Sequence, residues 1–342
     1  MVCPPASMAP RAAAAIRDWG HVRMFTPWGM NRSPRMDAAL TAATWSFDRV
    51  PYGGLIRILA RQSFDGSVKL TRVEDYWGKD IPVNKGFQNF DEIIFDYYRD
   101  SNVSLEAFLA GRYDYKSENS SKAWATAYNT PAVDKGVLLK KEIHHDRPAG
   151  MQGFAFNTRR DLFKDPKVRA ALAYAFNFEW SNKALFYGQY ARTRSYFQNS
   201  DMAATGLPSE DELKLLEPFR DDLPPEVFTK EYNPPKGDAD GNIRTNLRTA
   251  SRLLTEAGWV IKDGKRVNGE TGQPFAFEIM LVSPLFERIA LPFAKNLEKL
   301  GIVMTVRTID VAQYRRRLDT HDFDMVVSTF GQSMSPGNEQ RD

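Results

Sequence analysis

An α/β fold is predicted by three features of this 342-residue chain. A strand, a helix and a second strand follow one another from residue 90 to residue 115, about the span of a compact crossover unit. Strand and helix periods alternate again from residue 274 to residue 330. Between these blocks lies a helix with a cap, a leading proline and an unbroken apolar stripe. Strands separated by helices of this length imply parallel pairing with right-handed crossovers. The length exceeds one ordinary core, so two domains are expected.

The first 60 or so residues show no period: Pro and Ala are frequent, and Trp and Met are scattered. Residues 1–65 therefore stand apart as an atypical segment. Order is expected to begin near "GSVKLTRVEDYWG" (66–78), where Val68, Leu70 and Arg72 alternate with their neighbours. In "FDEIIFDYYRD", Asp91, Ile93, Phe95 and Tyr97 share the face opposite Phe90, Glu92, Ile94 and Asp96. Ser101 is expected to cap the next helix and Gly111 to stop it, after which "GRYDY" is extended. Trp124 sits in a helix-sized stretch, "SSKAWATAY". "GVLLKKEIHH" (136–145) and "MQGFAFNT" (151–158) both look like strands. The clearest helix follows: Asp165 caps, Pro166 takes the first helical position, and Val168, Ala171, Leu172, Ala175 and Phe176 keep helical spacing. From Ser200 to Arg244 the composition turns to Pro, Gly and acidic residues, predicting an irregular excursion with one short helix near Leu213. A helix over 246–257 stops at Gly258, and "VIKDGKRV" turns on Asp263-Gly264 as a hairpin. The final block reads as strand "PFAFEIMLVS", a helix over 286–300 bent or started at Pro292, strand "GIVMTVRTID", a helix over 311–319, and strand "FDMVVSTF". No internal repeat is visible.

Composition excludes several function classes. Hydrophobic content of 42% with 26% charged residues describes a soluble globular protein. Lys and Arg number 46 against 43 Asp and Glu, a net +3, so the balance is nearly even. Arg315, Arg316 and Arg317 form a basic triplet, but on a helix this is a solvated face, and no groove-reading motif points to nucleic acid. Cys3 is the single cysteine, which leaves no disulfide framework and no cysteine metal site. That is compatible with cytoplasm or with a Gram-negative periplasm. No run of about 18 apolar residues offers a membrane span. "MVCPPASMAPRAAAAIRDWG" lacks the basic start and apolar block of a secretory signal, so the residues by themselves place the chain in the cytoplasm.

No catalytic constellation appears. The sequence holds no GxSxG, HExxH, GxxxxGK[ST] or strand-linked GxGxxG. Of the four histidines, His21, His144, His145 and His321, the adjacent pair would diverge on a strand, so no metal is expected. "GDADG" (237–241) lacks the spaced ligands and closing Glu of a calcium loop and reads as a turn. The acidic runs "SEDEL" and "RDDLPPE" lie in irregular segments and read as solvated. Neither an enzyme nor a cofactor is expected. Aromatic content is 12%, including Tyr76, Trp77, Tyr97, Tyr98, Trp124, Trp180, Tyr187, Tyr190 and Trp259. Most of these belong to core or surface, although some could line a cleft accepting varied side chains.

"MQGFAFNTRRDLFKDPKVRAALAYAFNFEW" resembles the segment that opens the second lobe of family 5 extracellular solute-binding proteins, the peptide-binding components of ABC importers. The matching residues are Asn157, Thr158, Phe163, Asp165, Val168, Arg169, Ala171, Leu172, Tyr174 and Ala175. "TASRLLTEAGW", "NLEKLGIVMTVRTID" and "HDFDMVVSTFG" are similar to later family segments in the same order. "VEDYWGKDIPVNKGFQNFDEIIFDYYRD" and "GQSMSPGNEQRD" resemble the branch associated with microcin C-type peptide import. The resemblance covers residues 66–342.

It implies a periplasmic binding protein of type II-like α/β fold, monomeric, whose two lobes close around an oligopeptide by a hinge motion. Such a protein would deliver its ligand to ABC permease subunits in the inner membrane. Residues 66–150 would be part of lobe one and residues 151–342 lobe two, ending at a cleft loop. The signal and returning segments usual in the family are absent from the chain, so truncation at both ends, with lobe one incomplete, is expected. Relatives that grip a peptide amine use an aspartate in the loop after the last strand; by position that site falls near Ser333, where no carboxylate stands. The ligand-contacting candidates are Trp124, Ser333, Met334, Asn338, Glu339 and Arg341, with Glu339 the nearest carboxylate for an amine. Alternatives are a family 5 protein for an oligosaccharide or opine, or a gene remnant without function.

Overall fold

The structure, a computed structural model, describes residues 21–25, 56–59, 67–87, 89–98 and 100–337. Asn338, Glu339 and Arg341, Cys3 and most of the 1–65 segment lie outside the described residues. The chain divides into two compact units, one of residues 1–120 with 141–143, the other of residues 121–140 with 144–342.

The first unit is built on a five-stranded sheet in the order β2-β3-β4-β1-β5. Its strands are β1 (His21–Phe25), β2 (Ile56–Leu59), β3 (Ser67–Arg72), β4 (Glu92–Asp96) and β5 (Tyr115–Lys116). β1 runs parallel to both β4 and β5, whereas β3 pairs antiparallel with β2 and β4. The crossover expected around residue 100 exists, but β1 lies between its two strands. β1 and β2 come from the segment in which the sequence showed no period. Helix α1 (Ser101–Leu109) is capped by Asp100 rather than Ser101: its carboxylate accepts from Asn102 N at 2.8 Å and Val103 N at 3.2 Å. A carboxylate at this position satisfies two of the amides that a helix start leaves open. The chain leaves the helix through Gly111 at φ 70°, a conformation glycine adopts without a Cβ penalty. Tyr113 is buried behind the helix and donates to Ser104 O at 2.9 Å.

The second unit contains a four-stranded sheet in the order β10-β9-β11-β6. These are β6 (Met151–Phe156), β9 (Ala276–Leu281), β10 (Val303–Thr308) and β11 (Met325–Phe330). β9 is parallel to β10 and β11, as the alternating pattern predicts. β6 instead pairs antiparallel with β11 along its whole length, from Met325↔Phe156 to Phe330↔Met151. Ile279, Met280, Leu281 and Met325 are fully buried in the central strands, the run of apolar residues that a sheet covered on both faces requires.

Helix α4 (Pro166–Ala175) forms as expected, with Asp165 accepting from Lys167 N at 2.7 Å. It buries Val168, Ala171, Leu172 and Ala175 and packs on α8 (Arg244–Glu256). Phe176 lies just past the helix end in extended backbone. Helix α9 (Glu287–Glu298) runs through Pro292 rather than starting there, and buries Ala290, Phe293, Ala294 and Leu297. Together with Phe163, Phe275 and Phe277 these helices and strands share one apolar core. The hairpin of β7 (Trp259–Lys262) and β8 (Lys265–Asn268) turns on Asp263 (φ 51°) and Gly264 (φ 75°), the positive pair that a type I′ turn demands.

Two further segments differ from expectation. Residues 136–145 form no strand. The amides of Val137 and Leu138 donate to Ala132 O at 2.9 and 3.0 Å, closing the turn after α3 (Pro131–Asp134), so they are spent locally instead of on a ladder. Helix α5 (Phe178–Ala184), capped by Asn177, was not legible in the sequence. The excursion after Ser200 does hold a short helix, α6 (Glu210–Leu216), started by a Ser209–Glu212 capping box, and adds α7 (Glu226–Thr229). "GDADG" is a turn: Gly241 N donates to Asp238 O at 3.0 Å and Asp240 N to Asp238 Oδ1 at 2.9 Å. Among the described residues no group of three or more His, Cys, Asp or Glu could hold a metal, and no helix is long and apolar enough to cross a membrane.

Candidate functional site

β9, β10 and β11 are parallel, so their carboxyl ends, Leu281, Thr308 and Phe330, fall on one side of the sheet. Ligands of open α/β sheets sit beyond that side. β6 starts there, because Met151 pairs with Phe330. Gly150 permits the close approach: a Cβ on it would lie 3.1 Å from Thr329 Cγ2 and 3.5 Å from Gly331 Cα.

The segment from Leu185 to Ser200 is fastened to this end. Ala149 N donates to Gln198 O at 2.6 Å, and Asn199 Nδ2 donates to the carbonyls of His145 and Arg147 at 2.8 and 3.0 Å. Asn199 adopts φ 70° to do so, a left-handed conformation that asparagine tolerates better than most residues. Farther back, the Asn182 side chain donates to Tyr190 O and accepts from Tyr190 N at 2.7 and 3.1 Å. Tyr196 then meets Phe330 edge-to-face, centroids 5.8 Å apart and planes at 86°. Tyr190, Tyr196, Phe330 and, in the following loop, Met334 all remain exposed. Tyr196, Phe330 and Met334 thus expose apolar and aromatic groups at and just beyond the carboxyl end of β11, suited to contacts of low shape specificity.

Arg192 lies on the same segment. Its guanidinium carbon is 5.2 Å from the centroid of Phe176 and 5.3 Å from that of Phe178. Burial pushes its pKa below the usual arginine value, opposed by the nearby Glu179 and Tyr232. Phe176 is held in turn by T-shaped contacts with Phe154 and Phe293.

Asn157, Arg169 and Asp324, in segments that carry the sequence resemblance, are scaffold. Asn157, buried, donates from Nδ2 to His321 O at 2.9 Å and Phe323 O at 2.8 Å, so it ties the end of β6 to the turn before β11. Arg169 donates from Nη1 to Phe163 O and Lys164 O, closing the turn that precedes α4. Asp324 Oδ2 accepts from Glu278 N at 3.0 Å, joining β11 to β9.

Of the ligand-contacting candidates, Ser333 and Met334 stand in the loop after β11. Trp124 is in α2 (Ser121–Thr126), where its ring packs 6.1 Å from Tyr128 and under Lys140 Nζ at 4.6 Å. Tyr196, Phe330 and Arg192 were missed by the sequence reading. They are joined by long-range packing, and their only local trace is the positive φ at Tyr187, Gly188 and Asn199, which Gly188 and Asn199 foreshadow by residue type.

This mixed α/β fold matches that of type II periplasmic binding proteins. The chain belongs to the bacterial extracellular solute-binding proteins, family 5, whose middle region matches residues 59–341. It is 46% identical over 260 residues to the YejA protein of Escherichia coli strain K12, covering 76% of this chain and 43% of that protein. It is 43% identical over 286 residues to a YejA of Agrobacterium fabrum named as a probable peptide-binding protein, covering 83% of this chain and 47% of that one. The oligopeptide-binding protein AppA of Bacillus subtilis, solved with a nonapeptide, superposes with a TM-score of 0.58 at 19% identity, covering 83% of this chain and 48% of AppA. The last likeness shows the fold alone. The chain spans about half the length of the curated relatives it matches.

Proposed function

We propose that this chain forms part of the substrate-binding component of an ABC importer for oligopeptides or modified peptides, in the branch that handles microcin C-type peptides. In this reading the protein acts in the periplasm as a monomer and passes its ligand to permease subunits of the inner membrane. The observation that carries it is the exposed surface of Tyr196, Phe330 and Met334 at the carboxyl end of β11. Flat apolar and aromatic groups tolerate varied side chains, while the ligand's main chain supplies hydrogen bonds common to all peptides. Ser333, Met334, Asn338, Glu339 and Arg341 are assigned to ligand contact along the loop, and Trp124 to a further contact. Glu339 is assigned to a charged peptide amine.

Calorimetric titration of the full-length protein with pools of synthetic five-residue peptides tests the reading. Binding is expected, with a loss of about tenfold or more for free-amine peptides in Glu339→Ala, since charge-assisted hydrogen bonds contribute about 1.5–3 kcal/mol. Acetylated peptides are expected to be indifferent to that substitution. Binding of an oligosaccharide with no response to any peptide pool overturns the peptide assignment. Unchanged affinity in Glu339→Ala removes only the amine role.

A further inference from the structure

Among the described residues, only ring faces meet the charge of Arg192. The guanidinium is held over the faces of Phe176 and Phe178, and Phe176 is fixed by Phe154 and Phe293. Among the described residues, however, Arg192 makes no hydrogen bond and no ion pair within 4.0 Å. Its neighbour Arg194, on the same segment, pairs with Glu231 at 3.6 Å and Asn233 at 3.2 Å. Glu179 acts on Arg192 from beyond ion-pair distance, while its Oε2 accepts Gly237 N at 2.6 Å. Arg288 adds to the positive charge near the start of this segment. Its Nη1 donates to Leu185 O at 3.4 Å, and among the described residues its buried Nε has no partner.

Removing a guanidinium from water costs free energy unless acceptors replace the water. Cation–π contact with two rings offsets part of that cost and fixes the plane of the fork, but it satisfies none of the five N–H donors. A rigid fork with open donors matches a planar bidentate anion. The segment that carries it also places Tyr196 on Phe330 at the carboxyl end of β11.

On the reading of the ligand as a peptide, we infer that Arg192 determines specificity by pairing with a carboxylate of the bound peptide. That carboxylate comes from the peptide's C-terminus or from an acidic side chain, and three probes separate the two. They are pools of five-residue peptides without Asp or Glu as free acids, the same pools as C-terminal amides, and amidated pools with one internal Glu. Each is titrated into the full-length protein and into Arg192→Met and Arg192→Lys. Methionine keeps apolar contact with the two rings, and the amidated pool reports inside each variant whether the site still folds.

The expected result is preferential binding of one carboxylate-bearing pool to the parent protein. Arg192→Met loses about 10- to 100-fold on that pool and leaves the plain amides unchanged. Arg192→Lys recovers only part, because an ammonium lacks the fork. Equal effects on all three pools, or none on any, overturn the inference and leave the peptide assignment standing. Failure of every pool to bind the parent protein removes both.

Discussion

Asn157 shows how one side chain sets the geometry of the sheet. It sits at the end of β6 and bonds two carbonyls in the turn before β11, more than 160 residues away in sequence. Asn157→Ala is expected to lower the unfolding free energy by about 1–3 kcal/mol, because it leaves His321 O and Phe323 O short of donors in a half-buried place. Urea unfolding measures this, and an unchanged midpoint refutes the role. In the other unit, Tyr113 is pushed up to about 12, first by burial, opposed by its bond with Ser104, and with smaller contributions from Tyr98, Glu118 and Asp96. An unfolded tyrosine titrates near ~10. The phenol of the folded state therefore stays neutral while the unfolded one ionises. Its contribution to stability is complete below pH ~10 and is lost as pH rises from there through about 12. Tyr113→Phe should flatten that part of the stability–pH curve. Phenolate absorbance should show late titration in the folded protein from Tyr113 and from Tyr314, which burial also pushes up, and Tyr113→Phe should remove part of it.

At the scale of elements, the hairpin of β7 and β8 is fixed to the turn that follows α9. Arg266 is buried and donates to Leu300 O at 3.1 Å, Trp259 O at 3.2 Å and Ser251 Oγ at 2.9 Å. Its backbone amide donates to Gly301 O at 2.8 Å. Gly301 has φ 76°, and a Cβ there would fall 2.6 Å from Arg266 N and 2.9 Å from Gly264 O. Backbone on both sides cannot rotate away as a side chain would. Gly301→Ala is thus expected to cost roughly 2–4 kcal/mol, read as a lowered melting temperature; a neutral result would show that the hairpin yields. The sequence made such elements legible when local chemistry decided them: Asp165-Pro166 opening α4, Asp263-Gly264 turning the hairpin, and apolar runs for β9 and β11. It misled at 136–145, where Val137 and Leu138 look like a strand but spend their amides on Ala132 O. It was silent on β1, whose strand is recognisable only by pairing with β4 and β5. The candidate site was assigned from the sequence to the loop after β11, because open α/β sheets hold ligands beyond their carboxyl ends. Its walls were not, since Tyr196 reaches Phe330, and Arg192 reaches Phe176, through a fold the sequence does not spell out.

At the scale of the whole molecule, the described strands of the two units differ in burial. In β9, Phe277, Ile279 and Leu281 share a core with Ala290, Phe293, Ala294 and Leu297 of α9, and Met280 is buried too. Among the described residues β3 and β4 contain no buried position; their side chains are half-buried or exposed. Burial of apolar area contributes about 25 cal/mol per Å², so opening β9 exposes more buried apolar surface than opening β3 or β4. Hydrogen exchange should resolve this directly, because amides freed by small openings exchange sooner than those that need a large one. Amides of β9, β11 and α9 are expected to exchange at least about 100-fold more slowly than those of β3 and β4, a gap of about 2.7 kcal/mol in opening free energy. Equal protection in the two sheets would mean that they open as one cooperative body. Peptide added in excess should slow the amides of the loop after β11 and of residues 190–198 more than those of β9, whose largest openings already limit it. Protection confined to the first unit would instead place the ligand away from the surface formed by Tyr196 and Phe330.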